Sequence, residues 1–164
     1  MNENLIRAAR LYAARCGLEL SEKLGSGKDG IVHAAKSKAR PGGVAIKVLG
    51  FDDPYRREKG VYERLERLGV TNVLGFNVPQ LIRAEDELRV IEMTIVKQPF
   101  VLDFAGAHLD ARPEFSAEVW ADWEAERREQ FEARWLLVQQ VVEAFEGLGI
   151  YLLDVSPGNI AFAH

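Results

Sequence analysis

The chain has 164 residues, 48% of them apolar and 28% charged, with 21 Lys+Arg against 25 Asp+Glu and a formal net charge of −4. That is the composition of an ordinary globular domain, and the mildly acidic balance, with no Lys/Arg block, argues against nucleic acid as the main partner. The single cysteine, Cys16, excludes an internal disulfide framework; the short apolar runs exclude a membrane span, and no apolar h-region marks a signal peptide, so a cytoplasmic protein is expected.

In chain order, Glu3 to Cys16 places Leu5, Ile6, Ala9, Tyr12 and Ala13 at helical spacing, with Gly17 as a stop. Leu18 to Leu24 and Ile31 to Ser37 read as two strands of a hairpin joined by Gly25-Ser26-Gly27-Lys28-Asp29-Gly30. Pro41-Gly42-Gly43 reads as a turn, and Val44 to Leu49 as a third strand. Asp53-Pro54 opens a helix in which Glu58, Val61, Tyr62, Leu65 and Leu68 keep helical spacing up to Gly69. Val78 to Ala84 and Leu88 to Val96 read as two further strands. Lys97 to Glu114 reads as irregular, and a long helical pattern follows from Ser116 to Glu146, with a break in its apolar stripe near Arg127 that allows two helices rather than one. Ile150 to Leu153 reads as a short buried strand leading into Asp154-Val155-Ser156-Pro157-Gly158-Asn159.

Three groups of residues could carry chemistry. Gly25-x-Gly27-x-x-Gly30-x-Val32 lies between two strands, not between a strand and a helix, so a dinucleotide-binding turn is not indicated. Glycines in a hairpin let backbone N–H groups approach a phosphate chain; the plainer reading is a tight turn that needs positive φ. Lys47 shares a strand face with Ala45 and Leu49, where an ammonium needs a partner, with a strand-edge lysine reaching solvent as the alternative. Glu58 is the natural partner on the next helix and Glu63 the other candidate. Asp154 and Asn159 stand in a Pro/Gly loop after a helix; an Asp there can accept the proton of an attacking hydroxyl, and the Asn amide oxygen can ligate a divalent metal. The plainer reading of this pair is an Asx-type turn. His33, His108 and His164 show no metal-ligand spacing, and no serine sits in a nucleophile elbow.

The order of these groups resembles the protein-kinase-like superfamily: GxGxxGxV on a hairpin, Val44-Ala45-Ile46-Lys47 on the next strand, Glu on the next helix, and D-x-x-x-x-N after a long helix. The resemblance covers about Leu18 to Phe162. It implies an α+β fold in one domain, with residues 1–96 as a smaller lobe: a five-stranded antiparallel sheet, one αC-type helix and the N-terminal helix. Residues 97–164 would supply the hinge, a long helix and the catalytic loop of a reduced helical lobe. It implies ATP and Mg²⁺ as cofactors. Gly25, Ser26, Gly27, Lys28 and Gly30 would cover the phosphates, Val32 and Ala45 the adenine. Lys47 would contact the α/β-phosphates, braced by Glu58. The backbone of Glu92 and Met93 would meet the adenine edge, with Ile91 behind it. Asp154 would be the catalytic base and Asn159 a magnesium ligand.

The sequence also departs from the family pattern. Leu152-Leu153 replaces the His-Arg before the catalytic Asp, Ser156 stands where a lysine is usual, and Ile160 to His164 carries no Asp-Phe-Gly. The expected activity is therefore a minimal phosphotransferase moving the ATP γ-phosphate to a hydroxyl. The alternatives are a pseudokinase that binds without transfer and a kinase-fold interaction module that uses Trp120, Trp123 and Trp135 on the long helix for docking. A lobe that ends early would leave that helix uncovered, which leads to the expectation of a homodimer through it, or of a protein substrate or partner there.

Overall fold

The computed structural model describes every residue, Met1–His164, and is α+β. In chain order come α1 (Asn2–Arg15), β1 (Glu19–Ser26), β2 (Gly30–Ser37), β3 (Arg40–Leu49), α2 (Asp52–Arg67), β4 (Asn72–Val73) and β5 (Phe76–Asn77). There follow β6 (Leu81–Glu85), β7 (Val90–Thr94), β8 (Phe100–Val101), β9 (His108–Leu109), α3 (Ala117–Phe131), α4 (Trp135–Gly147), β10 (Ile150–Tyr151) and β11 (Ile160–Ala161). No helix is long and apolar enough to cross a membrane. Contacts divide the chain into two compact units: Met1–Glu66 with Pro79–Ile95, and Arg67–Val78 with Val96–His164.

The first unit is built on a five-stranded antiparallel sheet in the order β1-β2-β3-β7-β6. Side chains alternate between its faces. Val44, Ile46 and Val48 of β3 pack with Leu5, Ala9 and Tyr12 of α1 in one apolar cluster. Ala45, Lys47 and Leu49 take the opposite face, and all six residues from Val44 to Leu49 are buried because both faces of the central strand are covered. Helix α2 buries the stripe Tyr55, Glu58, Val61, Tyr62 and Leu65, whose spacing is that of one helix face. The helix begins at Asp52, so Pro54 falls third in its first turn, where its missing N–H still costs no intrahelical bond.

Pro41-Gly42-Gly43 is not the turn the sequence suggests. The β2–β3 reversal is made by Lys38-Ala39, with Ser37 paired to Arg40, and Pro41 to Gly43 belong to β3. Gly43 adopts φ 76° beside the irregular register at Ala35/Ser37, and a β-carbon there would lie 3.0 Å from the Ala35 carbonyl oxygen.

In the second unit, residues 97–114 are not wholly irregular. Strand β8 joins a four-stranded sheet, β11-β8-β5-β4, and β9 pairs with β10. The β4–β5 hairpin turns at Leu74-Gly75, both at positive φ (50° and 90°), with Asn72 Oδ1 accepting the Gly75 N–H at 2.9 Å. The long helical pattern folds as two helices, the option its stripe left open. Ser116 caps α3, its Oγ accepting the Val119 N–H at 3.2 Å. A single 3₁₀ turn, Glu132–Arg134, separates α3 from α4, with Glu132 at φ 51°. The break thus lies beyond Arg127, where the apolar stripe continues through Phe131 and Trp135 but the backbone does not.

Candidate functional site

Register places most of the expected nucleotide-binding residues of the first unit on one face. Gly25 pairs with Val32, Val32 with Lys47, and Lys47 with Ile91, which makes one row across four strands. Ala34, Ala45 and Met93 make the next row. Directly paired residues share a face, so Val32, Ala45, Lys47, Ile91 and Met93 stand together.

Lys47 is 8% exposed in its side chain, and its Nζ donates to Glu58 Oε1 at 2.6 Å; Glu58 is 1% exposed. The choice between the two candidate partners is thereby made: Glu63 lies on the exposed side of α2, 3.7 Å from Lys59. Two charges taken out of water are tolerated only when paired and hydrogen-bonded. The neighbouring Tyr62 hydroxyl, 3.1 Å from Met93 Sδ, seats α2 on this face.

The glycine-rich segment folds as a hairpin whose tip, Lys28-Asp29, is closed by the Gly27 N–H donating to the Gly30 carbonyl at 3.0 Å. None of Gly25, Gly27 and Gly30 is at positive φ, so the tight-turn explanation fails. Gly30 is required for another reason: a β-carbon there would lie 2.4 Å from the Val48 carbonyl oxygen of β3. At Gly25 and Gly27 a β-carbon would meet nothing within 4 Å. Ser26 and Lys28 are exposed beside them. Nothing in the fold demands glycine at 25 and 27.

Glu92 and Met93 need correction as hinge residues. Both lie within β7, whose edges are occupied at these positions by β3 and β6, so their backbone groups belong to the ladder. The Glu92 side chain points to the α1 face, where the buried carboxylate accepts from the Tyr12 hydroxyl and from Arg83 Nε at 3.3 Å. Burial first, and then Glu92, pushes the Tyr12 hydroxyl well above its ordinary pKa. Glu92 thus anchors the N-terminal helix. The clue available in the sequence is parity: Glu92 is out of phase with Ile91 and Met93 on a strand.

In the second unit, Asp154 and Asn159 occupy the loop between β10 and β11, and each end of that loop is tied to the 100–109 segment through β9 and β8. Val155, fully buried, pins the middle, and the Asn159 and Ile160 N–H groups both donate to the Ser156 carbonyl at 2.9 Å. Asn159 Nδ2 donates to the Asp154 carbonyl at 3.0 Å, and the Asp154 side chain is exposed. Trp123 Nε1 donates to the Leu153 carbonyl at 3.2 Å and braces the residue before Asp154. The turn is closed by backbone N–H groups and by the Asn159 amide nitrogen, with no side-chain oxygen accepting, so it is not the Asx-type turn of the plainer reading. No group of three or more His, Cys, Asp or Glu side chains is placed to hold a metal ion.

A further cluster was not expected. Asp86, in the β6–β7 turn, accepts from Tyr55 Oη at 2.7 Å and from Lys59 Nζ at 2.8 Å, both on α2. Arg89 adds bonds to the Leu49 carbonyl and to Asp52, each at 3.2 Å. These contacts fix the N-terminal half of the helix that carries Glu58. Only the i,i+4 spacing of Tyr55 and Lys59 was visible beforehand.

Compared with protein-family models and with curated proteins, the chain matches no family and no individual protein.

Proposed function

We propose that the chain is an ATP-binding protein of the protein-kinase-like superfamily that moves the γ-phosphate to a hydroxyl. The observation that carries this reading is the buried Lys47–Glu58 pair, set in one sheet row with Val32 and Ile91 and with a hairpin whose Gly25 and Gly27 are left open. A buried ion pair stabilises a fold no better than apolar residues of the same volume, so its presence calls for a use. Held by Glu58, the Lys47 ammonium would meet phosphate oxygens, the uncovered Gly25 and Gly27 would let the phosphate chain approach the hairpin, and Val32, Ala45 and Ile91 would offer an apolar bed for a base.

In the second unit the exposed Asp154 carboxylate would orient an acceptor hydroxyl and take its proton. The Asn159 amide oxygen would be the magnesium ligand, its Nδ2 being engaged by the Asp154 carbonyl; magnesium keeps several waters and binds through few protein oxygens. Bound there, magnesium would neutralise phosphate charge. No group of three acidic side chains is placed to hold a metal ion, and this sparse ligand set favours a second reading, in which nucleotide is bound without transfer.

Titration with MgATP tests the proposal. At a hundredfold excess over Kd, binding stabilises the protein by about 2.7 kcal/mol, seen as a rise in Tm. Lys47→Ala abolishes the rise and Asp154→Ala preserves it. The double variant Lys47→Met/Glu58→Leu removes both buried charges and keeps the fold near its original stability while losing nucleotide. No ATP-dependent rise in the wild type would sink both readings; a rise without phosphate transfer to any hydroxyl acceptor selects the second.

A further inference from the structure

Helices α3 and α4 leave a cavity of about 590 Å³. On α3, Ala117, Trp120, Ala121 and Glu124 recur at the spacing of one helix face, and the two alanines are too small to fill the gap. On α4, Trp135, Gln139, Glu143 and Glu146 line the other wall, and Tyr151 and Leu152 complete the lining. The chain has three tryptophans, and all three line this one cavity.

We propose that this cavity binds a small organic ammonium compound. Aromatic faces attract cations through their quadrupole, and indole does so best. The faces here already do so: the Arg112 guanidinium lies 3.9 Å from the Trp120 ring centroid, and that of Arg127 lies 5.3 Å from Trp123. Among the lining residues the charges are Glu124, Glu143 and Glu146 against Arg112, so an anion is repelled. Glu124 is engaged by Arg128 at 3.0 Å, which leaves Glu143 and Glu146, one turn apart on α4, to face a ligand cation. A bare metal ion does not fit, because no three carboxylates converge. An organic cation that spreads its charge over carbon uses both the rings and the carboxylates.

The site adjoins the Asp154 loop. Leu152 lines it, and Trp123, which also lines it, donates to the Leu153 carbonyl. Occupancy therefore bears on the backbone that leads into Asp154. Binding itself does not depend on the nucleotide reading, and it is measured without ATP.

The experiment is a titration of the full chain, followed by tryptophan emission, with benzyltrimethylammonium, benzyl alcohol and benzoate. The three probes share a ring and differ in charge. Saturable quenching by the ammonium, with the alcohol and the carboxylate at least about tenfold weaker, supports the site. The Glu143→Gln/Glu146→Gln variant, altered at positions that are not buried, should weaken the ammonium at least about fivefold with an unchanged far-UV spectrum. Trp120→Leu should weaken it while Trp123 and Trp135 still report. Absence of saturation overturns the proposal, as does benzyl alcohol binding as tightly as the ammonium, or unchanged affinity in the double glutamine variant. If the ammonium binds and MgATP does not, the cavity stands and the nucleotide reading falls.

Discussion

A β-carbon at Gly30 would lie 2.4 Å from the Val48 carbonyl oxygen, far inside contact distance, and that oxygen belongs to the central strand and cannot move away. Gly30→Ala should therefore cost about 1–3 kcal/mol in a denaturant titration, the scale of an overpacked interior. Gly25 and Gly27 behave differently. Neither has positive φ or a neighbour within 4 Å of an added β-carbon, so Ala there should leave stability within about 1 kcal/mol of wild type and even raise it by restricting the unfolded chain. If those glycines serve a phosphate chain, the same substitutions should weaken MgATP by about tenfold in calorimetry, because the methyl groups hold the ligand off the backbone. Stability and affinity thus separate at 25 and 27 and fall together at 30. Affinity unchanged in Gly25→Ala and Gly27→Ala would remove the hairpin from the nucleotide reading.

At the scale of elements, α2 is held through its N-terminal half, by Glu58 to β3 and by Tyr55 and Lys59 on either side of it to the Asp86 turn. Asp86→Ala should loosen α2 and lower Tm modestly and, if the chain binds nucleotide as proposed, reduce MgATP affinity several-fold, because Glu58 rides on the same helix. The pH dependence has a definite sign. Hydrogen bonds from Lys59, and then from Tyr55, hold the Asp86 carboxyl below its ordinary value, so its contribution is present above about pH 4 and is lost as pH falls through the lowered value. Lys59 is raised chiefly by the bond to Asp86, so its contribution is present at neutral pH and persists into alkali until the raised value is passed. The Tm difference between wild type and Asp86→Ala should accordingly shrink as pH falls through the lowered Asp86 value, hold across neutral pH, and shrink again only in strong alkali above the raised Lys59 value. Much of this architecture was legible in the sequence, since the strands of the sheet and the α2 stripe follow alternation and helical spacing that burial imposes. What escaped notice was decided elsewhere. The β4–β5 hairpin turns on Leu74, a residue that ordinarily avoids positive φ, and the end of α3 is set by the backbone of Glu132, several residues past the break in the apolar stripe near Arg127. Glu92 took its role from Tyr12, 80 residues away, which no local pattern reveals.

At the scale of the whole molecule, the units are not two consecutive stretches of chain, because Arg67–Val78 belongs with Val96–His164. A cut at Ile95 therefore does not yield the second unit intact. The piece Val96–His164 lacks β5, which pairs with β8, and lacks Phe76, whose ring packs edge-on against Phe162 at 5.3 Å. It should show weaker near-ultraviolet dichroism and broader melting than the same segment within the full chain, and adding a peptide of residues 67–78 should restore part of both. A fragment as cooperative as the intact protein would refute this. The strand order carries another consequence, for synthesis. Strand β7 sits between β3 and β6, yet it is the last strand of that sheet to be made. Until Thr94 has left the ribosome, the apolar edge from Val44 to Leu49 has no neighbour on that side, an open template for another chain. Translation of some forty-five residues separates that strand from its cover, an interval of about two to nine seconds at ordinary elongation rates, in which a holdase has its substrate.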